Sequence, residues 1–302
     1  MEVPFSLVRA ARAGDPPAPA IRAGGRIVPL REAVARAGAR APAALRARAD
    51  AAGWIPLLAD GVDLAAQIGA LLAALGPSAP FVEGAALELP LLPGKVIAAG
   101  RNYAAHAREM GGAPAEEPFF FGKLASCAVG PGAPIEIPSD LPGEVHHEAE
   151  LAVVVGRAGR RIPAERALEW VAGYLCANDV TARTLQRRLQ EKKLPWFEAK
   201  NADTFLALGP GIVPRAFVPD PAALRVRCFV DGRARQDAPT SAMIHTVASL
   251  LAHASRRVTL LPGDVLLTGT PEGVGPLVPG ESVEVRIDGV GSLVNPVVAA
   301  PA

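Results

Sequence analysis

What this sequence most lacks is an excess of charge of either sign. Lysine and arginine total 31 against 30 acidic residues, a formal net charge of +1. Neither half is a basic tail or an acidic run. The electrostatic footprint that a phosphate backbone requires is missing, so nucleic-acid binding is not expected. Cysteine is scarce too. Cys127, Cys176 and Cys228 are odd in number and widely spaced. That excludes a disulfide framework and a zinc ribbon and leaves three small core residues. The start, MEVPFSLVRAARAG, has no basic stretch leading into a long apolar one and does not read as a secretory signal. No uninterrupted apolar run reaches about 18 residues, so no membrane span is expected. These absences point to a reducing, cytoplasmic setting. Lysine is rare beside arginine: Lys95, Lys123, Lys192, Lys193 and Lys200 are all there are. A retained lysine in such a chain hints that its compact amine matters.

What is present is apolar bulk. Of the 302 residues, 50% are hydrophobic by a wide count. That is enough for one large domain, or for a small domain and a larger one. Residues 1–90 are rich in Ala, Arg and Pro and poor in chemically active groups. There, Ile21 to Ala23, Gly24-Gly25 and Arg26 to Val28 predict a hairpin. Leu64, Ile68, Leu71, Leu72 and Leu75 fall at helical spacing within a segment from Val62 to Leu75 that Gly76-Pro77 stops. The expectation is a small N-terminal α+β domain over 1–90, a linker bracketed by Pro90 and Pro93, and a catalytic domain over 91–302. In the latter, strand patterns run over 96–99, 151–155, 224–230, 265–267 and 283–287. Asp231-Gly232 and Asp288-Gly289 supply turns, and helical patterns cover 102–110, 164–170 and 181–192. Many short strands and few long helices predict a β-rich α+β fold. No repeat of fixed period is visible.

Five groupings carry chemistry. Glu148 and Glu150 precede the apolar run Leu151 to Val155. Two apart on a strand, they face one side. Carboxylates that close repel unless a proton or cation lies between them, and Mg²⁺, Mn²⁺ or Ca²⁺ favour such oxygen ligands. Taken alone, the pair also reads as a solvent-facing strand edge. Asp179 follows the buried run Gly173 to Ala177. It is either a helix N-cap or a third carboxylate completing an open oxygen site. His106 and Glu109 share a helix face, as a surface pair or as a base held by a carboxylate. Lys200 lies in the polar stretch Phe197 to Asp203, where a lysine is usually solvated. Leu267 to Gly275 forms a Gly/Pro-rich loop after a strand, lacking the Gly-Lys-Ser/Thr element of a phosphate loop. Its Thr270 hydroxyl and amides suit a carboxylate, or the loop is a structural turn. His147 borders Glu148 and is a candidate to line the site. His146, His245 and His253 show no metal-ligand spacing. The charges of Arg187 to Lys193 either meet a substrate carboxylate or, the favoured reading, form a solvated helix face.

Taken together, GRNYAAHAREM (100–110), PFFFGK (118–123), HHEAELAVVVG (146–156), NDVTARTLQ (178–186), LPWFEAKNADTFLALGP (194–210) and LLTGTPEGVGP (266–276) resemble the fumarylacetoacetate hydrolase family. The likeness runs from about 95 to 300, and the agreement of separate blocks carries it. It implies a catalytic domain built on a rolled mixed β-sheet, with an added N-terminal domain in some members. It implies a divalent metal, commonly Mg²⁺, on Glu148, Glu150 and Asp179, and water activated by His106 and Glu109. It places Lys200 in catalysis, and Arg101, Tyr103, Lys123, Arg183, Gln186 and Thr270 around the substrate. It also implies a homodimer.

The residues and the resemblance lead to one chemistry. A small 2-oxo or 2,4-dioxo acid of the acylpyruvate or fumarylpyruvate kind chelates the metal through adjacent oxygens. Hydroxide formed by His106 then cleaves a C–C bond through a metal-bound enolate. The alternative keeps the site and changes the outcome: isomerisation or tautomerisation, decarboxylation, or dehydration of a 2-oxo or 2-hydroxydienoate acid. A metal-stabilised binding protein without catalysis is disfavoured, because the ligands and the dyad are all present.

Overall fold

Seven consecutive buried residues, Ala149–Val155, lie at the centre of the architecture. The structure is a computed structural model and describes residues 4–59 and 63–301. Successive side chains on a strand point to opposite faces. Leu151, Val153 and Val155 therefore join one core, with Val226, Cys228, Val283, Val285 and Ile287. Ala152 and Val154 join another, with Leu7, Ile21, Leu30, Trp54, Ile68 and Leu71. A strand wet on one face would alternate apolar and polar. This one is apolar throughout because both faces are covered.

That strand sits inside an 11-stranded sheet. It pairs antiparallel with Val171–Asn178 on one side and with Val265–Leu267 on the other. Val265–Leu267 in turn runs parallel to Val96–Ala99. A second sheet, of five strands including Arg225–Val230, Arg233–Pro239 and Ser282–Ile287, packs on the first face. The fold is α+β and β-rich, with large mixed sheets, as expected.

The segment before residue 90 continues the same sheet. Ser6–Ala11 pairs with Leu206–Pro214 through Leu7 opposite Ile212. Ala18–Ala23 and Arg26–Pro29 extend the edge as the expected hairpin, with Ala23 opposite Arg26. The change of composition near residue 90 is thus not a break in packing. The expected helix is Leu64–Leu75, capped by the Asp63 carboxylate accepting from the Ala66 amide at 3.1 Å and ended by Gly76 at φ 50°. Val62, where the pattern was read to begin, lies outside the described residues.

Other elements follow the sequence with local changes. Asp231 and Gly232 both take positive φ, as a two-residue hairpin turn between right-twisted strands requires. Ala164–Trp170 is a 3₁₀ helix, and the helix expected over 102–110 is short, Ala104–Glu109. Thr181 and Ala182 pair with His146 and Val145 before the helix Arg183–Glu191 begins. The three cysteines are buried and free.

Candidate active site

Strand pairing brings the acidic residues together. Ala149 lies opposite Asn178, so Glu148 and Asp179 meet where the two strands separate. The Asp179 amide donates to the Glu148 carbonyl at 2.9 Å, and the Glu148 amide donates to Asn178 Oδ1 at 2.9 Å. Glu150 is one strand repeat further on, on the same face. All three are buried, and an oxygen from each lies within 4.8 Å of the others. The solvent-edge and N-cap readings therefore do not describe them.

Buried carboxylates need partners, since removing an ion from water costs several kcal/mol. Lys200, buried at the end of the short helix Phe197–Lys200, donates to Glu148 Oε2 at 2.8 Å and to Asp179 Oδ2 at 2.7 Å. Its ammonium also lies 4.9 Å from the Phe121 ring centre. The solvated alternative for this lysine is set aside. Lys123 Nζ sits 2.6 Å from Asp179 Oδ1 and donates to the Lys200 carbonyl at 2.5 Å. The Arg183 guanidinium pairs with Glu148 Oε1 and donates to Gln186 Oε1 at 2.6 Å. Burial raises the Glu148 carboxyl, but the charges of Lys200 and Arg183 outweigh it and hold the group well below its usual range. Burial likewise lowers the Lys200 ammonium, and Asp179 and Glu148 more than restore it.

Glu150 stands apart. Its side-chain bond is from the Gly269 amide to Oε2 at 2.6 Å, and no cation pairs with it among the described residues. Burial first, then Asp179 and Glu148, push its carboxyl well above the ordinary value. Three hard oxygen donors, one of them pushed towards its neutral form by burial and by its neighbours' charge, fit a divalent cation, which would remove that repulsion. Gly269 makes the contact possible. It adopts φ 92°, and a Cβ there would lie 2.8 Å from Asn102 Cβ.

His106 and Glu109 lie on Ala104–Glu109 with His106 Nδ1 3.0 Å from Glu109 Oε2. Burial raises Glu109, while the bonds from His106 and from the Gly273 amide, 3.0 Å from Oε1, bring it below its usual value. An ionised carboxylate can only accept, so Nδ1 carries the proton and Nε2 is left for the cavity.

One cavity is walled by Arg101, His106, Met110, Phe121, Glu148, Glu150, Arg183, Gln186, Gln190, Trp196, Lys200 and Thr270. Asp179, Lys123 and Glu109 stand behind that wall, each bonded to a member of it or to another of the three. Tyr103, the residue before the helix Ala104–Glu109, is buried outside the wall, and its hydroxyl has no partner among the described residues. Thr270 does line the cavity, but its hydroxyl proton goes to the Ala149 carbonyl at 2.8 Å. The hydroxyl hydrogen is therefore committed to backbone. His147 turns away from the cavity towards Gln236 Oε1, at 3.2 Å, and Cys228. His146 pairs with Glu144, His245 faces the Ala115 carbonyl, and His253 lies against Phe120.

Sequence reading missed Gln236. It is buried on Arg233–Pro239, a strand of the second sheet, and makes four hydrogen bonds. Its Oε1 accepts from the Ala149 amide at 3.0 Å and from His147, and its Nε2 donates to Thr270 Oγ1 at 2.7 Å and the Pro271 carbonyl at 2.8 Å. The signal was a glutamine at an inward position of a mostly exposed strand, two residues before the buried Ala238. Gln190 was read only as part of a solvated helix face. Arg187, Arg188, Glu191, Lys192 and Lys193 are indeed exposed, but Gln190 reaches the cavity.

A family model described as fumarylacetoacetate (FAA) hydrolase, C-terminal, matches residues 95–298. The chain belongs to the fumarylacetoacetate hydrolase family. Members similar to it differ in the reaction named for them. An oxaloacetate tautomerase of Arabidopsis thaliana is 44% identical over 196 residues, covering 65% of this chain and 87% of that one. The structure of 5-carboxymethyl-2-hydroxymuconate delta-isomerase from Mycobacterium smegmatis shares 45% identity at a TM-score of 0.65, covering 74% and 88% of the two chains. Maleylpyruvate hydrolase from Sphingobium sp. SYK-6, solved with manganese(II) and pyruvate, is 32% identical at a TM-score of 0.78 and matches 98% of this chain and 100% of its own.

Proposed function

We propose that this family member is a divalent-cation-dependent hydrolase that cleaves a C–C bond of a 2,4-dioxo acid. The observation that carries the reading is the placement of the His106–Glu109 pair in the same cavity as Glu148 and Glu150. Glu148, Glu150 and Asp179 hold the cation, Mg²⁺ or Mn²⁺. When bound, it supplies Lewis-acid polarisation of the substrate's adjacent carboxylate and 2-oxo oxygens.

The remaining steps belong to side chains. His106 Nε2 takes a proton from water while Glu109 steadies the imidazolium that forms. Hydroxide adds to the C4 carbonyl, the C3–C4 bond breaks, and its electron pair passes to the pyruvate-derived fragment as an enolate. That enolate is protonated to pyruvate, and the other fragment leaves as a carboxylic acid. Lys200 presents a fixed ammonium to the negative charge as it develops. Trp196, Phe121 and Met110 line the cavity with apolar surface. A hydrolase that matches 98% of this chain, N-terminal segment included, supports the reading.

A second reading is a tautomerase or isomerase, in which His106 moves a substrate proton from one atom to another and no C–C bond breaks. It is favoured by the higher identity to the tautomerase and the isomerase, 44% and 45%. One panel separates the two: acylpyruvates, oxaloacetate and hydroxydienoates with Mg²⁺ or Mn²⁺, with EDTA as control. Hydrolysis gives pyruvate and an acid, and His106→Ala should lower it about 10²- to 10⁴-fold. Wild-type hydrolysis by His106→Ala or by Glu150→Ala would end the proposal.

A further inference from the structure

We propose that Asn102 is a positioning residue for His106: its carboxamide ties the start of the helix Ala104–Glu109 to the loop that bonds Glu150, and so fixes the spacing between the base and the acidic cluster. The inference rests on the reading of His106 as the base and adds to it what holds that group still.

Two diverging strands create the need. Val96–Ala99 and Val265–Leu267 run parallel, with Ala98 opposite Leu267. Beyond them the chain separates. One end passes through Gly100 to the His106 helix, the other through Thr268 to Gly269. Backbone groups freed by such a divergence and buried there require partners. Asn102 is 1% exposed and supplies them. Its Nδ2 donates to the Thr268 carbonyl at 2.8 Å and to the His245 carbonyl at 2.9 Å, and its Oδ1 accepts from the His245 amide at 2.8 Å. Two carbonyls and one amide are matched by a carboxamide in one orientation, and by neither a carboxylate nor a hydroxyl.

The backbone repeats the tie. The Ile244 amide donates to the Asn102 carbonyl at 2.8 Å, and Tyr103 forms a bridge with Met243. On its other side Asn102 packs against Gly269, whose amide donates to Glu150 Oε2 at 2.6 Å. The far end of the segment is fastened to the same turn, where His245 Nε2 donates to the Ala115 carbonyl at 3.2 Å. Ala104–Glu109 lies between these two fastenings. Six residues are too few for a helix to be stable alone, so its place beside the cavity depends on contacts of this kind. Asn102 is the one side chain that touches both the start of this helix and the Gly269 loop through three hydrogen bonds.

The test is Asn102→Asp, which keeps the volume and Oδ1 but sets an oxygen against the Thr268 and His245 carbonyls. Hydrogen exchange of the full chain, read by mass spectrometry, should speed up about tenfold or more over 101–115 and clearly less over 149–155, a difference that uniform destabilisation would not give. For an acid of the substrate panel that turns over, kcat should fall about 10²-fold while KM stays within about twofold. A double-mutant cycle separates positioning from general damage. In His106→Ala, adding Asn102→Asp should lower kcat by less than about twofold, because the group it positions is gone. A further 10²-fold loss there, or equal acceleration of exchange in the two regions, overturns the assignment. Should Asn102→Asp not fold, His245→Ala removes the outer fastening alone. It should speed exchange over 109–115 and lower kcat about tenfold, and wild-type values of both overturn the assignment. If no acid turns over, or if His106→Ala keeps the wild-type rate, the reading of His106 as the base fails and this inference falls with it. If the products show a proton shift without cleavage, only the hydrolytic reading fails.

Discussion

Gln236 Nε2 donates to Thr270 Oγ1 over 2.7 Å, tying the second sheet to the loop that closes the acidic site on the first. The same carboxamide satisfies the Ala149 amide through Oε1. One side chain therefore fixes both the strand carrying Glu150 and the loop whose Gly269 amide bonds it. Gln236→Leu removes these bonds at constant volume and strands two buried donors, the Ala149 amide and His147 Nδ1. Each unsatisfied group costs about 1–3 kcal/mol, so a loss near 3 kcal/mol is expected in urea unfolding. A variant within about 0.5 kcal/mol of wild type would show that water replaces the carboxamide at no cost.

The acidic site was legible because its geometry is local. Glu148 and Glu150 need only the two-residue period of a strand, and His106 and Glu109 only one helical turn. Lys200 was harder. Its burial comes from the walls around it, with Trp196 close to both Phe119 and Phe121, which no local pattern reveals. Gln236 was not legible at all. Its partners lie about 90 residues before it and about 35 after it, joined only by packing of one sheet on another. Thr270 lines the cavity, but the destination of its proton depends on a carbonyl in a different strand.

Cation binding at Glu148, Glu150 and Asp179 is testable without substrate. A cation that binds the folded site and not the unfolded chain stabilises by mass action, about 2.7 kcal/mol at a concentration 100 times Kd. Mn²⁺ should therefore raise the melting temperature of wild type, and EDTA should reverse the rise. Glu150→Gln keeps the volume and relieves the repulsion with Glu148 and Asp179. It should melt at or above wild type without metal and gain little from Mn²⁺. Equal Mn²⁺-induced shifts in the two proteins would remove Glu150 from the ligand set.

Trp54 tests how the N-terminal segment is held. It is fully buried, and its indole nitrogen donates to the Val8 carbonyl at 2.7 Å. Its core also includes Ala152, Val154 and Leu267 from the catalytic sheet. Trp54→Ala should cost about 3–5 kcal/mol, and because the core is shared the whole chain should still unfold in one transition. An early separate transition, with the remainder unfolding at the wild-type midpoint, would instead make residues 1–90 an independent unit.

Tyr174 gives a pH dependence away from the active site. Its ring is fully buried beside the second sheet, and its hydroxyl has no partner among the described residues. Burial, with a smaller opposing effect from Arg215, raises its pKa well above the ordinary 10.0. Below pH 10 the phenol is neutral in both folded and unfolded chains and contributes no slope. Above it the unfolded chain loses the proton while the folded chain keeps it, so the unfolded state binds fewer protons and stability falls as pH rises. Tyr174→Phe removes the titrating group and leaves the ring packing. It should flatten the decline in unfolding free energy above pH 10. At neutral pH it should match or exceed wild type by about 1 kcal/mol, since burying an unpaired hydroxyl is unfavourable. A variant that declines with wild-type slope above pH 10 would show that Tyr174 reaches water in the folded chain.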